Sequence, residues 1–83
     1  MKLHEEFTGT VDVDGVQYTY QGNHRDWNVL PGWTPPKGTV WEVYVDNLPE
    51  SFPQRHAMGF AGSKEEALRR LVDMIRRIRD YRQ

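Results

Sequence analysis

The sequence predicts a two-layer α+β domain: an antiparallel sheet of about four strands, with one C-terminal amphipathic helix packed on one face. Three observations carry that expectation. Apolar and polar residues alternate on both sides of Asp14-Gly15. Two later runs, 39–46 and 55–61, keep the same two-residue period. After Ser63 the apolar period becomes that of a helix.

The hairpin comes first. Asp-Gly is a preferred pair for a two-residue type I′ turn, because both central residues need positive φ. It joins Phe7–Val13 to Val16–Tyr20. With that turn Val13 faces Val16, Val11 faces Tyr18 and Gly9 faces Tyr20. Phe7, Val11, Val13, Val16, Tyr18 and Tyr20 then share the face turned to the core. Thr8, Thr10, Asp12, Gln17, Thr19 and Gln21 share the wet face. A slip of one residue would expose the whole apolar set, so the register is well specified.

Residues 21–38 read as a long irregular segment, punctuated by Gly22, Pro31, Gly32, Pro35, Pro36 and Gly38, with a short strand at Trp27–Leu30 as an option. Structureless segments longer than about 12–15 residues are uncommon in compact domains and are often functional. Thr39–Asp46 is the next strand, with Trp41, Val43 and Val45 on one face and Val40, Glu42, Tyr44 and Asp46 on the other. A Pro-containing loop leads to Arg55–Ala61. There His56, Met58 and Phe60 alternate with Ala57, Gly59 and Ala61, and the small set leaves room for a closely packed neighbour.

Ser63-Lys64-Glu65-Glu66 is a capping-box pattern, in which the serine oxygen accepts from the amide three residues on. The helix it opens is expected to run to about Tyr81. Ala67, Leu68, Leu71, Val72, Met74, Ile75, Ile78 and Tyr81 fill roughly half its circumference, as a helix laid on a sheet requires. The expected core is Phe7, Val11, Val13, Val16, Tyr18, Tyr20, Trp41, Val43, Val45, Met58, Phe60, Leu68, Leu71, Val72, Ile75 and Ile78.

Composition narrows the function classes. The chain has 83 residues and reads as one domain, residues 1–83. It has no cysteine, which excludes disulfides, zinc–thiolate sites and cysteine nucleophiles. A small domain without disulfides fits a reducing compartment, so a cytoplasmic location is expected. The start, Met1-Lys2-Leu3-His4-Glu5-Glu6, lacks the apolar centre of a signal peptide, and no apolar run reaches the ~20 residues of a membrane span. The net charge is −1. That small figure hides a polarity, since residues 1–50 are acidic on balance and residues 51–83 basic. The expected result is an acidic sheet beside a basic helix face.

No catalytic constellation emerges. His4, His24 and His56 lack metal-ligand spacing, Ser51 lies between prolines in a loop, Ser63 is better used as a helix cap, and no Gly-rich phosphate loop precedes a helix. The chain is therefore expected to be no enzyme and to need no cofactor or metal. The strongest binding candidate is the Pro-stiffened aromatic segment with its neighbours: His24, Arg25, Trp27, Trp33 and Lys37, together with Tyr44. Tryptophan and arginine are enriched at interface hot spots. The second candidate is the arginine set Arg69, Arg70, Arg76, Arg77 and Arg79, which would meet phosphates or an acidic partner. Against it, Glu65–Arg69, Glu66–Arg70 and Asp73–Arg77 stand at the i,i+4 spacing of internal ion pairs.

Residues 41–72, from Trp41-Glu42-Val43-Tyr44-Val45 through Gly59-Phe60-Ala61-Gly62-Ser63-Lys64-Glu65-Glu66-Ala67, resemble the close of many small sheet-then-helix modules. One is the arm-type DNA-binding domain of tyrosine recombinases. That resemblance implies a sheet entering the DNA groove, braced by a helix, with basic residues on its outer face. Here that region offers Glu42, Asp46 and Glu50, and the hairpin adds Asp12 and Asp14.

The leading expectation is a non-catalytic protein-binding module, a small stoichiometric regulator or inhibitor of the kind phages and mobile elements use against host defence, anti-CRISPR proteins among them. The alternative is a nucleic-acid-binding sheet-plus-helix domain using the arginine-rich helix. The expected partner is another protein, with nucleic acid as the alternative, no membrane, and a homodimer through a sheet edge compatible with either.

Overall fold

The computed structural model describes residues 4–26 and 39–81. Four strands and one helix follow in chain order: β1 (His4–Val13), β2 (Val16–Asp26), β3 (Thr39–Val45), β4 (Ala57–Ala61) and α1 (Lys64–Asp80). The strands form one antiparallel sheet in the order β1-β2-β3-β4, and the helix lies on one face. This is the two-layer α+β arrangement that the sequence predicts.

The first turn has the expected chemistry. Asp14 and Gly15 both have positive φ, 53° and 89°, as a type I′ turn demands. Asp12 braces it by accepting the Gly15 amide at 3.0 Å. The register is the predicted one, Val13 opposite Val16, Val11 opposite Tyr18 and Gly9 opposite Tyr20. The hairpin is longer than expected, however. Residues 21–26 continue β2, pairing with β1 as far as His4–Arg25 and with β3 from Gln21–Tyr44 to Asp26–Thr39. The suggested strand at Trp27–Leu30 lies outside the described residues.

Two glycines explain why the hairpin is long. Gly9 stands opposite Tyr20, and Gly22 opposite Phe7. Each aromatic ring lies across its glycine. A Cβ on Gly9 would be 2.6 Å from Tyr20 Cζ, and one on Gly22 would collide with the Phe7 ring. Bare backbone is thereby covered by cross-strand aromatic surface. The covering extends sideways. Phe7 meets Tyr20 edge-on at 6.2 Å and Trp41 at 5.5 Å, and His24 stacks on Trp41 at 3.8 Å.

The helix is capped as its sequence requires: Ser63 Oγ accepts the Glu66 amide at 3.3 Å. Its apolar stripe, Ala67, Leu71, Ile75 and Ile78, is buried against Val13, Tyr18, Tyr20, Val43, Val45, Ala57 and Ala61. It packs on β4 and β3 and reaches across to β1. Gly59 sets the closeness of that contact. A Cβ there would stand 2.6 Å from the Leu71 backbone nitrogen.

Three expected core residues are not core. Met58 and Phe60 are exposed, because the helix needs the small face of β4, and Ala57, Gly59 and Ala61 provide it. The bulky residues of that strand consequently point away from the helix. Val16 is exposed at the hairpin tip, where Arg76 and Arg79 of α1 meet Asp14 of the turn. Conversely, Val40, Leu48, Ala57, Ala61 and Ala67 are buried without having been expected in the core. Leu48 is fixed from the loop after β3, where its amide bonds the Arg55 carbonyl at 3.1 Å.

Candidate functional site

The helix has two flanks, and they meet the sheet differently. On one flank Leu68 and Val72 lie half-buried, and Arg76 and Arg79 reach the hairpin tip. On the other, Arg70, Asp73, Met74 and Arg77 recur at i, i+3, i+4 and i+7 and border β4.

That second flank forms a shallow groove of about 240 Å³ with Met58, Gly59 and Phe60. An adjoining hollow shares Met58 and Met74 and is completed by Tyr44, Asp46, Gln54, His56 and Ala57. Met58 is 49% exposed, Phe60 44% and Met74 38%. Three large apolar side chains are thus partly exposed around one short edge strand. Contiguous apolar surface with a polar rim marks interaction sites. The rim here is Arg70 and Arg77 with Asp73 between them. Arg77 makes no ion pair among the described residues. Arg70 Nη1 donates to the Phe60 carbonyl at 2.8 Å, and Arg70 Nε lies 3.7 Å from Glu66 Oε1.

The remaining helix arginines have partners within the chain. Arg69 pairs with Glu66 at 2.8 Å, not with Glu65 as the i,i+4 spacing suggests. No Asp73–Arg77 ion pair forms among the described residues. Arg76 and Arg79 converge on Asp14, at 3.2 and 2.6 Å, and Arg79 also holds Asp80 at 2.9 Å. These guanidiniums keep the Asp14 carboxyl below its ordinary range, Arg79 first and Arg76 second. Asp80 and then Asp14 raise Arg79 in turn. The acidic hairpin turn and the basic helix end are thus joined, so charge separated in the sequence is partly neutralised in the fold.

The aromatic-segment residues fall in different places. His24 stacks on Trp41, and its Nε2 lies 3.1 Å from Thr39 Oγ1. Arg25 pairs with Glu42 across β2 and β3. Tyr44 donates to Gln21 Oε1 at 3.0 Å and lines the hollow beside Met58. Trp27, Trp33 and Lys37 lie outside the described residues. Of the expected contact residues that are described, Tyr44 lines the adjoining hollow and Arg70 and Arg77 line the β4 groove. Met58, Phe60 and Met74 were missed as surface residues. The signal was the Ala57/Gly59/Ala61 alternation, which reserves the other face of β4 for the helix.

Among the described residues no group of three His, Asp or Glu is placed to hold a metal ion. No described helix is long and apolar enough to cross a membrane. No protein-family model matches the chain, and no curated protein or solved structure matches it.

Proposed function

We propose that the chain is a non-catalytic protein-binding module, a small stoichiometric regulator that engages its partner along the β4–α1 groove. The observation that carries this reading is the meeting of Met58, Phe60 and Met74, all exposed, beside Arg77. The chemistry fits a protein surface offering apolar anchors and a carboxylate. Methionine and aromatic side chains supply adaptable contact area, and the guanidinium supplies direction. Contact would be made through side chains, because Arg70 already occupies the Phe60 carbonyl.

Affinity capture from the native host tests this reading. A Met58→Ser/Phe60→Ser double variant and an Arg77→Glu variant should each lose a protein that the wild type retains in stoichiometric amount. A Thr19→Ala variant, altered on the wet face of the hairpin, should retain it. Undiminished capture by the folded double variant would refute the groove. Loss with a Trp27→Ala/Trp33→Ala variant alone would move the site to the aromatic segment. Capture abolished by nuclease, with steep salt dependence, would favour nucleic acid.

A further inference from the structure

We infer that β1 pairs through its outer edge with β1 of a second copy of this chain, antiparallel and centred on Thr8, to give one sheet running through a two-fold dimer. The inference does not depend on the β4 groove.

β1 is an edge strand of ten residues without proline, lysine or a bulge in its register. Those are among the devices that ordinarily protect such an edge. The two-residue turn makes Val13 and Val16 a hydrogen-bonded pair, so odd-numbered residues of β1 bond to β2. The N–H and C=O groups of His4, Glu6, Thr8, Thr10 and Asp12 accordingly point outward. No described residue hydrogen-bonds them. The opposite edge differs, since Arg70 covers the Phe60 carbonyl there.

The side chains select the occupant and the register. With Thr8 opposite Thr8 of the second copy, Glu6 faces Thr10 and His4 faces Asp12. Threonine pairs and donor–carboxylate pairs are favourable cross-strand neighbours. His4 is already oriented on this face, with its Nε2 3.2 Å from Asn23 Oδ1. A shift of two residues one way would oppose Glu6 to Asp12, like charge to like, and the other way would part His4 from Asp12 and leave it facing Thr10. On the inner face Phe7 would meet Gly9 of the second copy, over which the Tyr20 ring lies, so that aromatic surface faces aromatic surface. Phe7, Val11, Leu68 and Val72 are half-buried on this same side, and a second copy would complete their burial. The edge is thus complementary to itself.

Sedimentation velocity on the full chain across a concentration series tests the inference. The wild type should shift from monomer to dimer as concentration rises. Thr8→Pro removes an outward N–H and leaves the bonds to β2 intact. It should raise the dimer dissociation constant at least about tenfold, with an unchanged circular dichroism spectrum. Should Thr8→Pro fail to fold, Thr10→Glu, which sets like charge opposite Glu6 of the second copy, should weaken dimerisation instead. A wild type that stays monomeric throughout the series would overturn the inference. So would a dimer unaffected by the folded edge variant, or one abolished by Phe60→Asp at the opposite edge.

Discussion

Arg79, near the end of the helix, donates to Asp14 at the tip of the first hairpin over 2.6 Å, across 65 positions of sequence. Arg76 joins it through two longer bonds, at 3.2 and 3.3 Å. Turn and helix end are therefore tied by one carboxylate. Because the guanidiniums lower the Asp14 pKa in the folded state, the tie adds stability above the unfolded value of about 3.9. It is lost as pH falls through the folded value. Asp14→Asn should lower the urea midpoint at neutral pH, and the difference from wild type should close on acidification below pH ~4. High salt should narrow it as well, since the groups are exposed.

Gly59 makes a sharper demand. Any Cβ there must push the helix backbone away, and no rotamer relieves it. Gly59→Ala should cost about 1–3 kcal/mol, the range for overpacking. Urea unfolding followed by circular dichroism measures this directly.

Ser63 holds the first turn of the helix. Ser63→Ala should cost about 1 kcal/mol, and Ser63→Asp should restore most of it, because aspartate caps comparably well. Thermal melts of the three proteins give the comparison.

The exposure of Phe60 can be checked against the burial of Leu71. Phe60→Ser should change stability by no more than about 0.5 kcal/mol, as for an ordinary surface site. Leu71→Ala should cost about 2–5 kcal/mol. Equal losses in the two variants would return Phe60 to the core.

The sequence made some of this legible and hid the rest, for identifiable reasons. Asp14-Gly15 states its turn by φ alone, and the turn then dictates the register of every pair in β1–β2. Ser63 and the period after it mark the helix with equal clarity. Residues 21–26 read as loop because Gly22, Asn23 and Asp26 are weak strand formers. Their strand conformation comes from outside the segment, from the Phe7 ring over Gly22 and the Arg25–Glu42 pair. Met58 and Phe60 read as core because alternation alone cannot say which set faces the helix. Close approach decides it in favour of the small set. The i,i+4 rule likewise cannot anticipate Asp14, a partner from the opposite end of the chain. Tyr44 was legible as a surface aromatic. The groove beside it depends on where the helix settles, which no local pattern records.

The bond from Arg70 to the Phe60 carbonyl has a consequence for growth. Two open sheet edges allow strand addition to propagate, each new copy presenting the site for the next, and the product is a filament. Here one side is stoppered by a side chain from the chain's own helix. Addition at β1 then uses up the remaining edge of both participants and ends at two. Arg70→Ala should remove the stopper while leaving the fold in place, and light scattering should then detect open-ended assembly where the wild type gives none. On the inferred pairing of β1, the Arg70 guanidinium is what would separate a closed pair from a polymer.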